Sequence, residues 1–501
     1  MNQRKIGIFI SYLNIVLYAV IGFAYVPILL HYIGKSEYGL YQLIGSFIAY
    51  FGIMDFGLTA AVIRYYAKYK ALNDRVGMEN VLALAMRAYV VITAILLVAG
   101  TGFYFCLDKI FAESMTVAEI ASAKQLFLLL LINIVLTIST MVFRAVINAH
   151  EKFLFLKGLE TIQLVMQPLL IILVLQQYPY ALSVAAVQTV LNIFLIGARI
   201  YYCFCKLDVS IKYHFWDAEL FAGFKRLALS VFVVTLIDQV FFKTNQVILG
   251  VISGTSAVAV YSISSLIYMN YMALSAAISG VYLPHITEMI AKQEPVQKLS
   301  ALFIQIGRWQ YYLLALVASG FVIFGRQFIS IWAGKGFEDA YLITLLIIIP
   351  FTIDLIQNIG LSIMQAQNRY DFRAKVYFCM GIFNLALAIP LGMRFGGIGC
   401  AFATGLSMFI GNGLVMNWYY AIVTGLDIKE FWCQIGRITI GVVCLCVAGY
   451  FINDICYSGN KLLFVGKILL YTFCYGVVVY KFSMNEEEKM KIGKLLVRFK
   501  L

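Results

Sequence analysis

The sequence predicts an all-α polytopic membrane protein. Of the 501 residues, 62% are hydrophobic and 13% are charged, whereas a soluble chain is nearly half apolar and a quarter charged. Apolar runs long enough to cross the hydrocarbon of a bilayer, about 20 residues each, recur along the whole chain. Lys and Arg concentrate in alternate turns, as membrane topology requires. This placement also argues against a nucleic-acid partner, although the net charge is +13.

Fourteen crossings fit the apolar pattern. Residues 6–30 are predicted to be the first membrane anchor, because the segment is too long for a signal peptide and lacks a small-residue cleavage site. No soluble domain fits between the crossings. The predicted crossings are residues 6–31, 40–66, 78–103, 124–148, 155–176, 180–202, 227–251, 257–284, 303–325, 341–364, 372–391, 397–422, 432–453 and 462–481.

The charge distribution predicts the orientation of the crossings. With the N-terminus inside, the inner termini and turns hold 28 of the 38 Lys and Arg residues, and the outer turns hold 7. An excess of this size predicts that both termini are cytoplasmic and that the number of crossings is even.

Two motifs recur at nearly one offset. Gly-x-Ser-x-x-x-x-Tyr begins at Gly34 and again at Gly254, and Ala-x-x-basic-aromatic-x-Phe begins at Ala149 and again at Ala366. Each copy falls in a matching turn, which predicts two parallel six-helix lobes with a binding site at their interface. The predicted domains are an N-lobe of helices 1–6 (1–226), a C-lobe of helices 7–12 (227–425), and helices 13–14 with a basic cytoplasmic tail (426–501).

The first hairpin carries a family pattern. Pro-x-x-Leu is followed by Ile-Gly-x-x-x-Tyr-Gly-Leu, then by Asp-Phe-Gly-Leu, and then by an Arg near the helix end. This order resembles the first hairpin of the Wzx-type polysaccharide flippases, which export O-antigen, capsule or exopolysaccharide units and belong to the MATE/oligosaccharidyl-lipid/polysaccharide exporter superfamily. The residues that carry the resemblance are Pro27, Gly34, Tyr38, Gly39, Leu40, Asp55, Phe56, Gly57, Leu58 and Arg64.

Predicted helix 7 has a polar stripe. At 100° per residue its polar side chains fall within an arc of about 160°, and the opposite arc is Ile, Val and Phe. Hydrocarbon cannot satisfy such groups, so the stripe faces either a wet cavity or another helix. Helix 1, its repeat mate, carries Asn14 on a polar face. The stripe consists of Thr235, Asp238, Gln239, Lys243, Asn245 and Gln246.

Other charges lie inside apolar helices. At 1.5 Å per residue, Arg87 and Asp354 lie near the midplane, and Asp55 lies closer to the cytoplasm. Intramembrane charges of this kind usually face a cavity or a partner. Arg64 and Arg308 fit an interfacial anchor as well as a binding residue.

The resemblance implies a function. The chain is expected to flip undecaprenyl-diphosphate-linked saccharide units from the inner to the outer leaflet of the bacterial cytoplasmic membrane, by alternating access coupled to protons or sodium ions. Arg and Lys would hold the diphosphate, and polysaccharide-assembly membrane proteins are candidate partners. The predicted cavity residues are Arg87, Lys243, Arg64, Asn14, Gln239 and Gln246. The predicted ion-coupling residues are Asp238, Asp354 and Asp55.

The main alternative is a MATE-type drug or cation antiporter, which would favour intramembrane acids over bases. A polymerase or ligase is disfavoured because the loops are short, and the sequence predicts no enzyme. The ten cysteines and four histidines show no metal-ligand spacing, and neither a metal nor a cofactor is predicted.

Overall fold

The computed structural model describes residues 3–367, 369–455, 461–490 and 493, and among them helices account for all regular structure. The helices are α1 (Gln3–Gly52), α2 (Leu58–Ala71), α3 (Arg75–Phe111), α4 (Val117–Ser139), α5 (Met141–Ala149), α6 (Phe153–Leu175), α7 (Ala181–Lys206), α8 (Ala218–Ser279), α9 (Leu283–Ala291), α10 (Val296–Trp332), α11 (Asp339–Leu355), α12 (Asn358–Ala366), α13 (Tyr370–Met408), α14 (Met416–Ile422), α15 (Ile428–Ile455) and α16 (Lys461–Val478). A 3₁₀ turn spans Ile53–Asp55, and π-helical segments span Phe409–Val415 and Val479–Ser483.

The long helix α8 is a hairpin that reverses at Gly254. That glycine has φ 75° and ψ −173°, which is outside the helical region. Asn245 donates a hydrogen bond to the Tyr261 hydroxyl (2.7 Å), and Gln246 donates one to Ser262 (3.1 Å). In a straight helix, residues 16 apart lie about 24 Å from each other, so the two arms lie side by side.

Helix α1 likewise reverses direction, and its non-helical residue is Gly34 (φ 73°, ψ 178°). The Thr161 hydroxyl, in the first half of α6, donates to the Asn14 side chain (2.8 Å). Tyr66 hydrogen-bonds to His150, three residues before α6 begins (3.1 Å). Asn14 and Tyr66, which are 52 residues apart, therefore both lie near the beginning of α6. The chain runs away from that end of α6 and comes back to it, which requires the reversal at Gly34.

Helix α13 folds back at Gly396 (φ 57°, ψ −135°), where Thr404 hydrogen-bonds to Asn384 across the turn (3.3 Å). Among the described residues, ten helical stretches are long and apolar enough to span a membrane, and the bent pair α11–α12 adds an eleventh. Three of the ten contain a reversal of direction. The predicted polytopic all-α fold is confirmed, and eleven apolar stretches of which three reverse are compatible with fourteen crossings.

The internal repeat has a structural counterpart. Gly34 and Gly254 have nearly the same backbone angles. Phe155 stacks on Tyr202 with ring centroids 4.0 Å apart, and Phe372 stacks on Tyr419 at 4.0 Å. Each residue of the second stacked pair comes 217 positions after its counterpart. Both recurring motifs therefore mark equivalent positions in the fold.

Four membrane helices are interrupted rather than continuous. The interruptions lie at residues 53–57 before α2, at Thr140 between α4 and α5, at 280–282 between α8 and α9, and at 356–357 between α11 and α12. Backbone groups freed inside a membrane must be satisfied by protein or must line a cavity. These interruptions are therefore places where polar side chains are expected.

The chain divides into two compact units, Met1–Ser262 and Ile263–Leu501. The first unit includes the first arm of α8. The predicted lobe boundaries at 226 and 425 stay a prediction. Both units expose large apolar side chains, such as Val98 and Phe105 in the first and Leu470 and Phe473 in the second, as a lipid-facing surface requires. Of the predicted basic tail, residues up to 490 and residue 493 are described, and 486–490 are helical.

Candidate functional site

Helix α8 runs antiparallel to the second arm of α1 and to α2, and this contact positions the polar stripe. A Cβ atom on Gly39 would lie 1.9 Å from the Thr255 carbonyl oxygen, and one on Gly250 would lie 2.4 Å from the Leu43 side chain. Small residues let membrane helices approach this closely. Successive contacts join Phe56 to Phe232, Tyr50 to Thr244, Ser46 to Gln246 and Gly39 to Thr255.

The part of the stripe nearest the Gly254 turn is used for helix packing. Gln246 is 1% exposed. Its amide oxygen accepts a hydrogen bond from Ser46, and its amide nitrogen donates to Ser262. Asn245 is similarly buried and bonds to Tyr261. Of the two surroundings expected for the stripe, a wet cavity or another helix, this part faces another helix. The role of Gln246 in substrate binding stays a prediction.

The part of the stripe one turn further from Gly254 has unused polar groups. Lys243 is half-buried, and its ammonium makes no hydrogen bond or ion pair with any described residue. Gln239 lies one helical turn away on the same face, and its side-chain oxygen is buried and accepts no hydrogen bond from the described part of the chain. Asp238 is half-buried beside it. A cation and a buried amide acceptor are thus available to a ligand at one place.

Arg87 lies on the exposed side of α3, where the segment between α7 and α8 covers it. Its guanidinium carbon is 3.6 Å from the centroid of the Tyr213 ring. The same segment is fixed to α3 by His214, whose Nε2 is 2.8 Å from the Glu79 carboxylate. Arg64 is exposed on α2. Both arginines can reach an anion, but Arg87 would first have to leave the Tyr213 ring.

Asp55 ends the 3₁₀ turn at the interruption before α2. The next two residues, Phe56 and Gly57, have left-handed backbone angles (φ 49° and 69°). The half-buried carboxylate accepts hydrogen bonds from the hydroxyls of Thr59 (2.9 Å) and Tyr89 (2.8 Å). A carboxylate held by neutral donors at a broken membrane helix is a suitable acceptor for a cation or proton.

Two other predicted residues lie in different surroundings. Asp354 is half-buried in the last turn of α11, two residues before its interruption, and interacts electrostatically with Arg373. Asn14 hydrogen-bonds both to the Thr161 hydroxyl (2.8 Å) and to the Lys157 carbonyl (3.5 Å) on α6. The structure therefore groups Asp238, Gln239 and Lys243 on one stretch of α8. It places Asp55, Arg87 and Asn14 on other helices of the first unit, and Asp354 belongs to the second unit.

The sequence analysis missed a polar pocket inside the first unit. The pocket has a volume of about 200 Å³. Asn192 donates to Asn133 and to Thr137 (2.7 Å), and Tyr41 donates to Gln188 (2.8 Å). Amides at 133, 163, 188 and 192 in three apolar helices were the available signal. The lining residues are Ile48, Leu130, Asn133, Ile134, Thr137, Gln163, Gln188 and Asn192.

Repeated hairpins of long apolar helices, with polar groups and helix interruptions within them, are typical of multi-pass transporters. The particular family follows from sequence comparison. The family described as polysaccharide biosynthesis protein matches residues 5–290, more than half of the chain. The chain therefore belongs to this family, and the resemblance to the polysaccharide flippases is confirmed.

Two relatives are similar over most of their length. "Uncharacterized membrane protein EpsK" of Bacillus subtilis (strain 168) is 22% identical over 491 residues, covering 93% of each chain. "Putative O-antigen transporter" of Shigella flexneri is 23% identical over 402 residues, covering 77% of this chain and 90% of the relative.

Solved structures show the same fold. The structure of "Lipid II flippase MurJ, inward closed conformation" aligns with a TM-score of 0.73 at 16% identity, covering 95% of this chain and 98% of the other. An inward-facing multidrug resistance MATE family transporter of the MOP superfamily aligns with a TM-score of 0.62 at 12% identity, covering 82% and 94%. At sequence identities this low, the structural similarity shows that the fold is shared and does not show a shared function.

Proposed function

We propose that this protein flips an undecaprenyl-diphosphate-linked saccharide from the inner to the outer leaflet of the bacterial cytoplasmic membrane. The observation that carries the proposal is the half-buried ammonium of Lys243, which has no partner among the described residues, on the same face of α8 as the buried amide oxygen of Gln239. A cation at membrane depth without a protein partner is costly, and an anionic ligand would offset that cost. Membership of a polysaccharide biosynthesis family supports a lipid-linked saccharide as that ligand.

The two ends of such a substrate need different surroundings. The diphosphate would bind Lys243, with Arg87 and Arg64 as further cations that approach it during transport. The saccharide would bind amides such as Gln239, and the polyprenyl chain would remain in the bilayer. A cation exporter is less consistent with this site, because the positive charge of Lys243 repels a cationic substrate.

Coupling to protons or sodium ions is assigned to the carboxylates, and Asp55 has the most suitable surroundings. Its two hydroxyl partners can donate to a charged carboxylate or rearrange around a protonated one. Asp238 and Asp354 remain candidates for the same role. Both termini are proposed to be cytoplasmic, as the charge distribution predicts.

The proposal is tested by replacing Lys243 with Ala in cells that depend on this protein for surface polysaccharide. A charge-assisted hydrogen bond contributes about 1.5–3 kcal/mol, so we expect at least a roughly tenfold loss of export at normal protein level. Lys292→Ala is the matched control, because Lys292 lies on the exposed turn between α9 and α10. Normal polysaccharide in the Lys243→Ala strain would contradict the proposal.

A further inference from the structure

Three segments meet at the end of the first unit that the charge distribution predicts to be outside. They are the turn after Gly34, the start of α4 and the turn at Gly254. Glu119 of α4 accepts a hydrogen bond from Ser36 of the first turn (2.7 Å) and one from Thr255 of the second (3.2 Å). The two hydroxyl oxygens are themselves 2.8 Å apart. One carboxylate therefore joins two helical hairpins.

The start of α4 fixes the orientation of Glu119. Its other carboxylate oxygen accepts from the backbone amide of Thr116 (3.0 Å) and from the Thr116 hydroxyl (2.9 Å). In return the Glu119 backbone amide donates to the Thr116 side chain, which completes a capping box. One carboxylate oxygen of Glu119 therefore binds within its own helix start, and the other binds the two hairpins.

The hairpins come close enough for these bonds because glycines lie at the contact. A Cβ atom on Gly254 would be 2.7 Å from the Ser114 carbonyl oxygen, and Gly39 has no room for a Cβ beside Thr255. The Ser114 hydroxyl donates to the Gly250 carbonyl (2.9 Å), so the segment before α4 also holds α8. The contact between these segments is therefore closely packed.

We propose that Ser36, Glu119 and Thr255 form a latch that closes the outer end of the transport pathway. Ser36 and Glu119 belong to the predicted N-lobe, and Thr255 belongs to the first hairpin of the predicted C-lobe. Release of a substrate to the outer leaflet requires these lobes to separate at the outer end, and that movement breaks the bonds from Glu119 to Thr255 and from Ser36 to Thr255. Hydroxyl groups suit a reversible closure, because water replaces their bonds on opening.

This inference rests on the proposed function only for the identity of the substrate that leaves when the outer end opens. The opening itself is measured without a substrate. Ser46→Cys places a thiol on α1 at a fully buried position, two helical turns inward from Gly39. An impermeant maleimide added outside intact cells reports the open fraction, and mass spectrometry of the peptide with residue 46 distinguishes it from the native cysteines.

In the Ser46→Cys background, Glu119→Ala should raise the labelling rate about tenfold, as expected for loss of a charge-assisted hydrogen bond. Glu119→Gln keeps one amide oxygen as acceptor and should have a smaller effect. The matched control is Glu113→Ala, since Glu113 is an exposed acid in the same turn. Equal labelling in the Glu119→Ala and Glu113→Ala proteins would overturn the latch, whether or not the protein transports a saccharide.

A covalent closure tests the latch in the opposite direction. The double variant Ser36→Cys/Thr255→Cys should lose the export that it shows under reducing conditions when it is oxidised, and should regain that level with dithiothreitol. The two single-cysteine variants, oxidised in parallel, are the controls. Full export by protein whose 36–255 disulfide is verified by mass spectrometry would overturn the latch. Failure of that disulfide to form under oxidation would also contradict the observed proximity of the two side chains.

Discussion

Arg308 of the second unit and Lys243 of the first are both cations inside apolar helices, yet their surroundings differ completely. Arg308 is 7% exposed and binds the Glu488 carboxylate through Nε (2.8 Å) and Nη2 (2.7 Å). Its remaining donors reach Gln434 (3.0 Å) and Tyr312 (2.7 Å). Lys243 is half-buried and has none of these contacts with the described residues.

The difference separates a structural charge from a charge that is available for function. A buried ion pair with all its hydrogen bonds satisfied fixes two parts of a chain to each other, and the loss of either partner leaves an uncompensated charge. Here the pair fixes the start of the C-terminal tail to α10. An unpaired cation at membrane depth contributes nothing comparable to stability, so its presence needs another explanation.

The largest expected effect on stability is at the satisfied pair. Arg308→Ala should destabilise the protein by about 3–5 kcal/mol, because Glu488 would remain buried without its partner. Thermal unfolding in detergent, followed by size-exclusion chromatography, measures the change. Arg394→Ala, at an exposed position on α13, is the control. A stable Arg308→Ala protein that fails to export would instead make Arg308 a binding residue.

A smaller effect is expected where the stripe of α8 packs against α1. Gln246→Leu leaves the Ser46 and Ser262 hydroxyls without their amide partner, which should cost about 1–3 kcal/mol. Export per folded molecule should remain near the wild-type value. Unchanged thermal stability together with lost export would return Gln246 to the substrate-binding residues.

The Arg308–Glu488 pair should also make stability depend on pH. Burial raises the pKa of the Glu488 carboxyl, but hydrogen bonds from Arg308 and from the Asn485 amide outweigh burial and hold the pKa below its ordinary value. This stabilisation is complete above the ordinary carboxyl pKa of about 4.3 and is lost as the pH falls through the lowered value. Wild type should therefore lose more stability between about pH 5 and about pH 3 than Glu488→Gln does. Parallel losses in the two proteins would show that the pair is not the source.

Asp55→Asn should change stability least among the carboxylate variants, because an amide can still bond to Thr59 and Tyr89. It should instead remove the dependence of transport on the ion gradient. Flux in proteoliposomes with and without an imposed proton or sodium gradient measures this. Transport that still follows the gradient would move the coupling role to Asp238 or Asp354.

The sequence predicted the architecture because its signals are local. Each crossing is an apolar run of bilayer length, and the turns at Gly34 and Gly254 share a motif whose glycine has the same conformation in both copies. The sequence could not show which polar residues are already paired. Gln246 depends on Ser46, 200 positions earlier, and Arg308 depends on Glu488, 180 positions later.

The sequence analysis predicted none of the helix interruptions, and the crossing expected over 40–66 is broken at 53–57. Asp-Phe-Gly at 55–57 was an available signal for that break, since Gly57 adopts a left-handed conformation. Thr140 and the 356–357 interruption carry no glycine or proline, and they arise from tertiary packing. The stacking of Tyr213 on Arg87 was likewise hidden, because nothing in a turn sequence shows which helix it will cover.

The central claim is that Lys243, which has no partner among the described residues, binds an anionic lipid diphosphate. Its most direct test is thermal stabilisation of the purified protein by undecaprenyl diphosphate, compared with undecaprenol, which lacks the anionic head. Wild type should be stabilised by the diphosphate alone, and Lys243→Met should lose that stabilisation while unfolding at the same temperature without lipid. Equal stabilisation of wild type and Lys243→Met by the diphosphate would contradict the account.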